Sequence, residues 1–495
     1  MRRPLASLCL ALWSLSPALS FAQQPAPGAA AAEPTPEPAA PPAAEPQPAP
    51  APEPPAVAPT PPPAPSAAPA TPPGAAPEPS PVKTKWAGTL YGWLQADAVY
   101  DTTQSFANEG SGGAALAAPN TYAGENGRLT FSYRNSRFGF RLSAPEVIGI
   151  KASGLVEVDF NGNQPPGLTE TAFWSNPTMR ARHVWIKAES EYIDVLMGQT
   201  WNLFGWQPFF HPNTLQLQGV PAQVFSRAQQ FRLSHTFKTA PVNIDLAVAA
   251  VRPPQKDAGV PDLQGGLKLG INGWKGQHVG GAGAAAAADP LSIGVSGLTR
   301  QFNVIEFSAT PGTEGKKKSG WGVSIDALLP VIPASSMESI GALSLQGNFQ
   351  TGSGFNDQYT GLTGGVAAPT QGPPPAMGTA AAGNLDAGLA VYDAAGALHT
   401  IDWNMFLVDV QYFFPGSGNV WVSGNFSQMK SGNILDYGAA PASVFTKEQF
   451  WDANLFWNVT PALRLGAEYG NFKQTRGDDS ERKSSRVQFS GFYLF

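Results

Sequence analysis

Seven arginines in the first half of the chain have the residue type and the spacing to bind carboxylates. They are Arg128, Arg134, Arg137, Arg141, Arg180, Arg182 and Arg232. A guanidinium is permanently charged, and its planar N–H groups match the two oxygens of a carboxylate. Because these arginines alternate with apolar residues or lie on neighbouring segments, they are expected to share one face of a sheet.

Two pairs of these arginines differ in whether they occupy even or odd positions along the alternating segment. Arg128 and Arg134 occupy even positions, whereas Arg137 and Arg141 occupy odd positions, with apolar or aromatic residues between them. Successive side chains of a strand point to opposite faces, so all four share a face only if one extra residue is inserted. The sequence therefore predicts a β-bulge near 135–136.

The elements that position the arginines are long alternating strands. Beyond Trp86, segments such as "KASGLVEVDF" and "WDANLFWNV" place apolar residues at every second position. Aromatic residues recur near the strand ends, and the polar faces carry charges of both signs, which is typical of a wet lumen. The last segment, "SSRVQFSGFYLF", alternates up to its final residue, Phe495. We therefore predict an all-β fold, a transmembrane antiparallel β-barrel closed by this last strand.

The predicted barrel domain spans 86–495 and contains about sixteen strands. An even number places both of its ends on the periplasmic side. Short connections such as 189–191 and 460–462 are expected on that side, and long ones such as 101–128 and 351–401 on the other. The segment 273–320, with its "GGAGAAAAADP" stretch, fits neither a strand nor a loop well. Fourteen or eighteen strands therefore remain alternatives.

Two segments precede the predicted barrel. Residues 1–22 combine Arg2 and Arg3 with a short apolar core and small residues, which predicts a secretory signal peptide. The only cysteine, Cys9, lies inside it, so no disulfide is expected in the mature chain. Residues 23–85 are almost entirely Ala, Pro and Glu without apolar periodicity, which predicts a disordered periplasmic linker.

Composition and motifs argue against several other classes of protein. A formal net charge of −5 with 14% charged residues suggests no nucleic-acid surface. The five histidines fall in no nucleophile or metal motif, and "GVSG" at 294–297 lacks the spacing of a nucleophile elbow. We therefore expect no enzymatic activity, no cofactor and no metal.

Six motifs follow one another along the predicted barrel. They are "TLYGWLQADAVYDT" at 89–102, "SRFGFRL" at 136–142, "LVEVDFNG" at 155–162, "RARHVWI" at 180–186, "MGQTWNLF" at 197–204 and "VPDLQGGLKLG" at 260–270. Their order resembles that of the DcaP-like outer-membrane porins. The resemblance implies a sixteen-stranded trimeric barrel with one pore per subunit, which passes small solutes and favours organic anions such as dicarboxylates. That family carries a helical, coiled-coil extension at its front, where this chain has the proline tract.

The connection at 201–229 is the candidate constriction loop. It contains no Asp or Glu, and its only formal charge is Arg227. We expect Trp201, Phe204 and Trp206 to hold it against the barrel wall, as the third loop of general porins is held. The alternative is an external loop that covers a neighbouring subunit.

The sequence as a whole predicts a porin in the outer membrane of a Gram-negative bacterium. Its expected partners are outer-membrane lipid and lipopolysaccharide, two further copies of the chain as a homotrimer, small anionic solutes, and peptidoglycan or a periplasmic partner reached by the linker. An envelope-anchoring barrel that uses the proline tract as a tether is the alternative function. The arginines select anions, or they only stiffen the wall by pairing with Glu157, Asp159, Asp194 or Asp245.

Overall fold

The computed structural model describes residues 86–106, 116–162, 177–216, 219–254, 258–305, 315–334, 341–359, 389–393, 396–416, 418–437 and 441–495. The predicted signal peptide and the predicted linker lie outside these ranges. Within them, none of the helices has the length and the apolar character that a membrane crossing requires.

Sixteen antiparallel strands form one closed barrel, as the sequence predicted. Each strand pairs with the next in the chain, and the last pairs with the first, so the barrel has no unpaired edge. The strands are β1 (Ala87–Asp101), β2 (Arg128–Ser132 continued by Arg137–Ser143), β3 (Lys151–Asp159), β4 (Arg180–Glu189), β5 (Asp194–Trp201), β6 (Arg227–Lys238), β7 (Val242–Val251), β8 (Asp262–His278), β9 (Ala287–Ile305), β10 (Gly315–Ile332), β11 (Leu343–Ser353), β12 (Asp402–Phe413), β13 (Val420–Ser431), β14 (Phe445–Asn458), β15 (Leu463–Arg476) and β16 (Glu481–Leu494).

The period-two alternation separates a lipid-facing exterior from a polar interior. On β16, Phe489 and Tyr493 are 59% and 55% exposed on the outside, whereas Arg486 and Gln488 are buried inside. The direct pairing of Asp101 with Arg486 closes the seam between β1 and β16. Phe489 and Tyr493 therefore belong to the outer face of the strand that closes the barrel, whereas Phe492 is buried on its inner face.

The predicted β-bulge divides the second strand. Asp97 pairs with Ser132 and Trp93 with Arg137, so four steps along β1 match five along β2. The backbone N–H of Ser136 donates to the carbonyl of Tyr133 at 3.0 Å, which forms the turn that takes up the extra residue. Because of the inserted residue, even-numbered side chains face inward at Arg134 and odd-numbered side chains face inward at Arg137, as the sequence predicted.

The segment that left the strand number open resolves into an extended hairpin. β8 continues to His278 and β9 begins at Ala287, so the Ala/Gly-rich stretch is the end of a hairpin between two strands. The barrel therefore has sixteen strands rather than fourteen or eighteen.

The described part of the long connection between β11 and β12 folds onto the barrel mouth. Ala390–Tyr392 pairs with Leu398–Thr400 in a two-stranded sheet of its own. Val391 belongs to a buried apolar cluster that also contains Phe204 and Trp403. Residues 360–388 of this connection lie outside the described residues.

Candidate functional site

The loop between β5 and β6 lies inside the barrel, and its tip reaches the opposite wall. The hydroxyl of Thr214 hydrogen-bonds Asp452 Oδ2 at 2.8 Å and Glu468 Oε2 at 3.1 Å, on β14 and β15. The carbonyl of Asn213 accepts from Ser423 Oγ at 2.8 Å on β13. These contacts favour the interpretation of 201–229 as an inward loop over that of an external one.

Aromatic residues anchor the start of this loop to the wall. Phe204 is fully buried, and its ring meets that of Phe355 edge to face at a centroid distance of 5.9 Å. The indole Nε1 of Trp206 donates to the carbonyl of Val295 at 3.2 Å. Two glycines of the wall leave room for this indole, since a Cβ on Gly266 would lie 2.9 Å from it and one on Gly294 would lie 2.8 Å from it.

Two of the predicted arginines pair with carboxylates on β3. Arg180 makes a bidentate pair with Asp159, with Nε–Oδ1 at 3.0 Å and Nη2–Oδ2 at 2.7 Å. Arg182 donates to Glu157 Oε1 at 2.7 Å and to Asp159 Oδ2 at 2.9 Å. The side chain of Arg182 is only 2% exposed, so this pairing is a buried part of the wall.

Two further arginines extend this group into the lumen. Arg137 lies 3.8 Å from Glu157 Oε1, and its side chain is 21% exposed. The guanidinium carbon of Arg227 lies 4.7 Å from the ring centroid of Trp201, and no ion pair joins Arg227 to any described residue. We call Arg137, Arg180, Arg182, Arg227, Glu157 and Asp159 the arginine cluster.

The arginine cluster has more positive charge than its own acids neutralise. Four guanidinium groups face two carboxylates, which leaves a formal excess of two positive charges. Arg137 Nε, Arg182 Nη2 and Arg227 Nη1 are buried donor atoms without a hydrogen-bond partner in the described part of the chain. A buried donor without a partner costs free energy, and a donor on a charged group costs more. The cluster is therefore chemically suited to receive an anion.

The other predicted arginines are placed elsewhere on the inner face. Arg134 donates to the carbonyl of Gly162 at 3.0 Å, and Arg128 donates to that of Phe106 at 3.3 Å. Arg232 donates to the carbonyl of Trp201 at 2.6 Å. Arg141 is exposed and pairs with Thr89, near the end of the barrel where β1 begins. The structure thus groups three of the seven arginines with Arg227 and leaves four outside the cluster.

Two of the suggested pairings were wrong. Asp194 Oδ2 lies 3.0 Å from Lys187 Nζ, and Asp245 Oδ2 lies 3.0 Å from Lys268 Nζ, so neither pairs with an arginine of the set. Each carboxylate is on a strand adjacent to its lysine, which makes the lysine the nearer cation.

A cavity of about 250 Å³ lies against the arginine cluster. Arg137, Trp93 and Trp201 line one side, the inward loop contributes His211, and residues 280–284 line another. Burial lowers the pKa of the loop residue His211 to about 3, so its ring is neutral at pH 7. Sequence reasoning missed Trp93, His211 and 280–284, because only the folded chain brings them to Arg137.

Comparisons with known proteins identify the fold. No protein-family model matches the chain, and no curated protein matches it in sequence. The outer-membrane channel DcaP of Acinetobacter baumannii has a similar structure with a TM-score of 0.61 and 19% identity, over 83% of this chain and 97% of that one. An anion-selective porin from Comamonas acidovorans gives a TM-score of 0.45 and 11% identity, over 83% and 100% of the two chains.

The chain has the fold of an outer-membrane porin. The resemblance to the DcaP-like porins that the sequence motifs indicated is confirmed at the level of this fold.

Proposed function

We propose that this protein is an outer-membrane porin through which small hydrophilic solutes diffuse, and that it favours organic anions such as dicarboxylates. The observation that carries the proposal is the excess of guanidinium groups in the arginine cluster beside the cavity. An anion gains Coulomb energy there, and a cation is repelled by the same charges.

The position of Arg137 supports selection of anions over a role in the wall alone. Arg180 and Arg182 are satisfied largely by Asp159 and Glu157, which is the wall-pairing role. Arg137 is farther from its acid, partly exposed, and lines the cavity. Arg137 is therefore the residue expected to meet a passing carboxylate, with Arg182 holding the acids behind it.

Electrophysiology tests the proposal. Purified protein in a planar bilayer under a salt gradient is expected to give an anion-selective reversal potential and a current that an added dicarboxylate reduces. The variant R137Q should shift the reversal potential toward zero and weaken the effect of the dicarboxylate, and replacement of Arg182 should do the same.

The matched control is R252Q, which removes the same charge from an exposed position in the connection between β7 and β8. It should leave the reversal potential and the block unchanged. Cation selectivity in the parent protein, or equal shifts in R137Q and R252Q, would reduce the arginine cluster to wall pairing. A protein that inserts without conducting would favour the envelope-anchoring alternative.

We further propose that the barrel works as a homotrimer in contact with outer-membrane lipid and lipopolysaccharide. Its support is the apolar exterior, on which residues such as Phe131 and Ile186 are 68% and 64% exposed. Light scattering of the detergent-solubilised protein should give the mass of three chains, and the mass of one chain would rule the trimer out.

A further inference from the structure

The hairpin at 272–290 leaves the line of the barrel wall at a large β-bulge. Residues 275–278 of β8 pair with residues 287–290 of β9, but the next pair along the two strands is Ile271 with Leu291. Three residues of β8, 272–274, are therefore extra. Such an insertion bends the strand that carries it. The bend lies at the end of the barrel where β1 begins and β16 ends.

Beyond the bend, the hairpin crosses the interior of the barrel. Val279 exchanges two hydrogen bonds with the side chain of Gln411 on β12, at 2.9 Å and 3.1 Å. Arg464 Nη1 on β15 donates to the carbonyls of Ala282 at 2.5 Å and Ala284 at 2.8 Å. β15 lies seven strands around the ring from β8, which is almost the opposite wall. The hairpin is therefore fixed at both sides of the lumen.

One glycine of the hairpin is required by its surroundings. A Cβ on Gly283 would lie 2.5 Å from the indole of Trp93, whereas one on Gly280 would make an ordinary contact of 3.6 Å with the carbonyl of His211. Val279 is fully buried in an apolar cluster with Phe413 and Trp421. The Ala/Gly stretch, which fits neither a strand nor a loop in sequence, is thus a segment that fits closely between the inward loop and the first strand.

We propose that 279–286 is a second constriction of the pore, beside Trp93 and the arginine cluster, and that it sets the largest solute that passes Arg137. The segment forms one side of the 250 Å³ cavity whose other sides are the inward loop and the β1–β2 wall. Arg464 is the positioning residue of this constriction, because it holds two carbonyls of the segment. The inference rests on the proposed function in that a pore is needed for a constriction to act.

A thiol introduced at Ala284 tests the proposal, since Cys9, in the predicted signal peptide, is the only cysteine of the chain. The A284C variant in a planar bilayer is treated with a charged methanethiosulfonate reagent. We expect a stepwise loss of most of the single-channel current, reversed by a reducing agent. The matched control is A240C, at an exposed position in the β6–β7 turn of the same barrel end, which should lose little current.

The outcomes separate this inference from the porin function. If the parent protein conducts and A284C reacts without a larger loss of current than A240C, the hairpin is not a constriction, although the porin function stands. If the parent protein does not conduct, the porin function itself fails. The parent protein treated with the same reagent must show no change in current.

Variants of Arg464 give an independent test with uncharged solutes. R464A removes both hydrogen bonds to the hairpin, and we expect proteoliposomes to admit neutral sugars that the parent excludes. R464K, which keeps a donor and the charge, should restore part of the size limit. The size limit is measured on R464A protein whose electrophoretic mobility still changes on heating, which shows that its barrel is folded. An unchanged size limit would show that Arg464 does not position the constriction.

Discussion

The guanidinium of Arg137 lies over the indole ring of Trp93, with the central carbon 4.1 Å from the ring centroid. The two residues are directly opposite each other on β1 and β2. Contacts of this kind are worth about 0.5–2 kcal/mol, depending on desolvation. The indole holds the cation at the cavity without neutralising it, which a carboxylate in the same place would do. The geometry thus keeps a positive charge both fixed and available.

Arg182 and Arg137 should differ in their contribution to stability. R182M leaves Glu157 and Asp159 buried with one cation fewer, and removing one partner of a buried pair costs about 3–5 kcal/mol. R137Q breaks a longer and partly exposed ion pair, for which about 0–1 kcal/mol is expected, and the contact with the Trp93 ring, for which about 0.5–2 kcal/mol is expected. Denaturant unfolding in detergent micelles, followed by tryptophan fluorescence, measures both free energies of unfolding. Equal losses would mean that the two arginines share one structural role.

The tip of the inward loop should depend on Thr214. T214V removes the hydroxyl that lies within hydrogen-bond distance of Asp452 and Glu468. This hydroxyl has one proton to donate, and a hydrogen bond to a charged group contributes about 1.5–3 kcal/mol. We expect the loop to move more and the open-channel current noise to rise, with the barrel intact. T351V is the control, because its hydroxyl bonds Asn404 on the outer face of β11 and β12. Equal noise in the two variants would show that the tip is held by its other contacts.

Replacing Gly283 by a residue with a side chain should change the single-channel conductance. In G283V the Cβ alone would lie 2.5 Å from Trp93, so the indole or the hairpin must shift toward the cavity. We expect a lower single-channel conductance and a weaker hold on Arg137, seen as a smaller anion selectivity. G273V lies in the same hairpin where a Cβ meets nothing within 4 Å, and it should conduct as the parent does. A normal conductance in G283V would mean that the pore does not run past Trp93.

Removal of residues 23–82 should leave the pore unchanged. β1 begins at Ala87 and pairs with β16 from Trp93 to Asp101, so the closure of the barrel uses none of the deleted residues. We expect the deletion variant to keep its single-channel conductance and its ion selectivity in the bilayer. Release of outer-membrane vesicles by cells carrying the variant would indicate that the tract is a tether. A changed conductance would contradict a spacer role.

The strands and the inner and outer faces of the barrel could be predicted from sequence because their signal is local. Alternation with a period of two identifies each strand and its apolar side from fewer than twenty consecutive residues. The same alternation located the bulge of β2, since Arg134 and Arg137 share a face only if the parity changes between them. The prediction that the strand ending near Phe495 closes the barrel followed from the requirement that a β-sheet in a bilayer has no unpaired strand edge.

The tertiary structure decided which polar groups meet inside the barrel. Arg464 with Ala284, Thr214 with Glu468, and Trp93 with Gly283 are contacts between residues far apart in the chain, and no local pattern contains them. The choice of Glu157 and Asp159 over Asp194 and Asp245 as arginine partners likewise depended on strand order and register. Sequence alone therefore determined a barrel with arginines on its inner face, whereas the fold of two inward segments decided which arginine faces the solute.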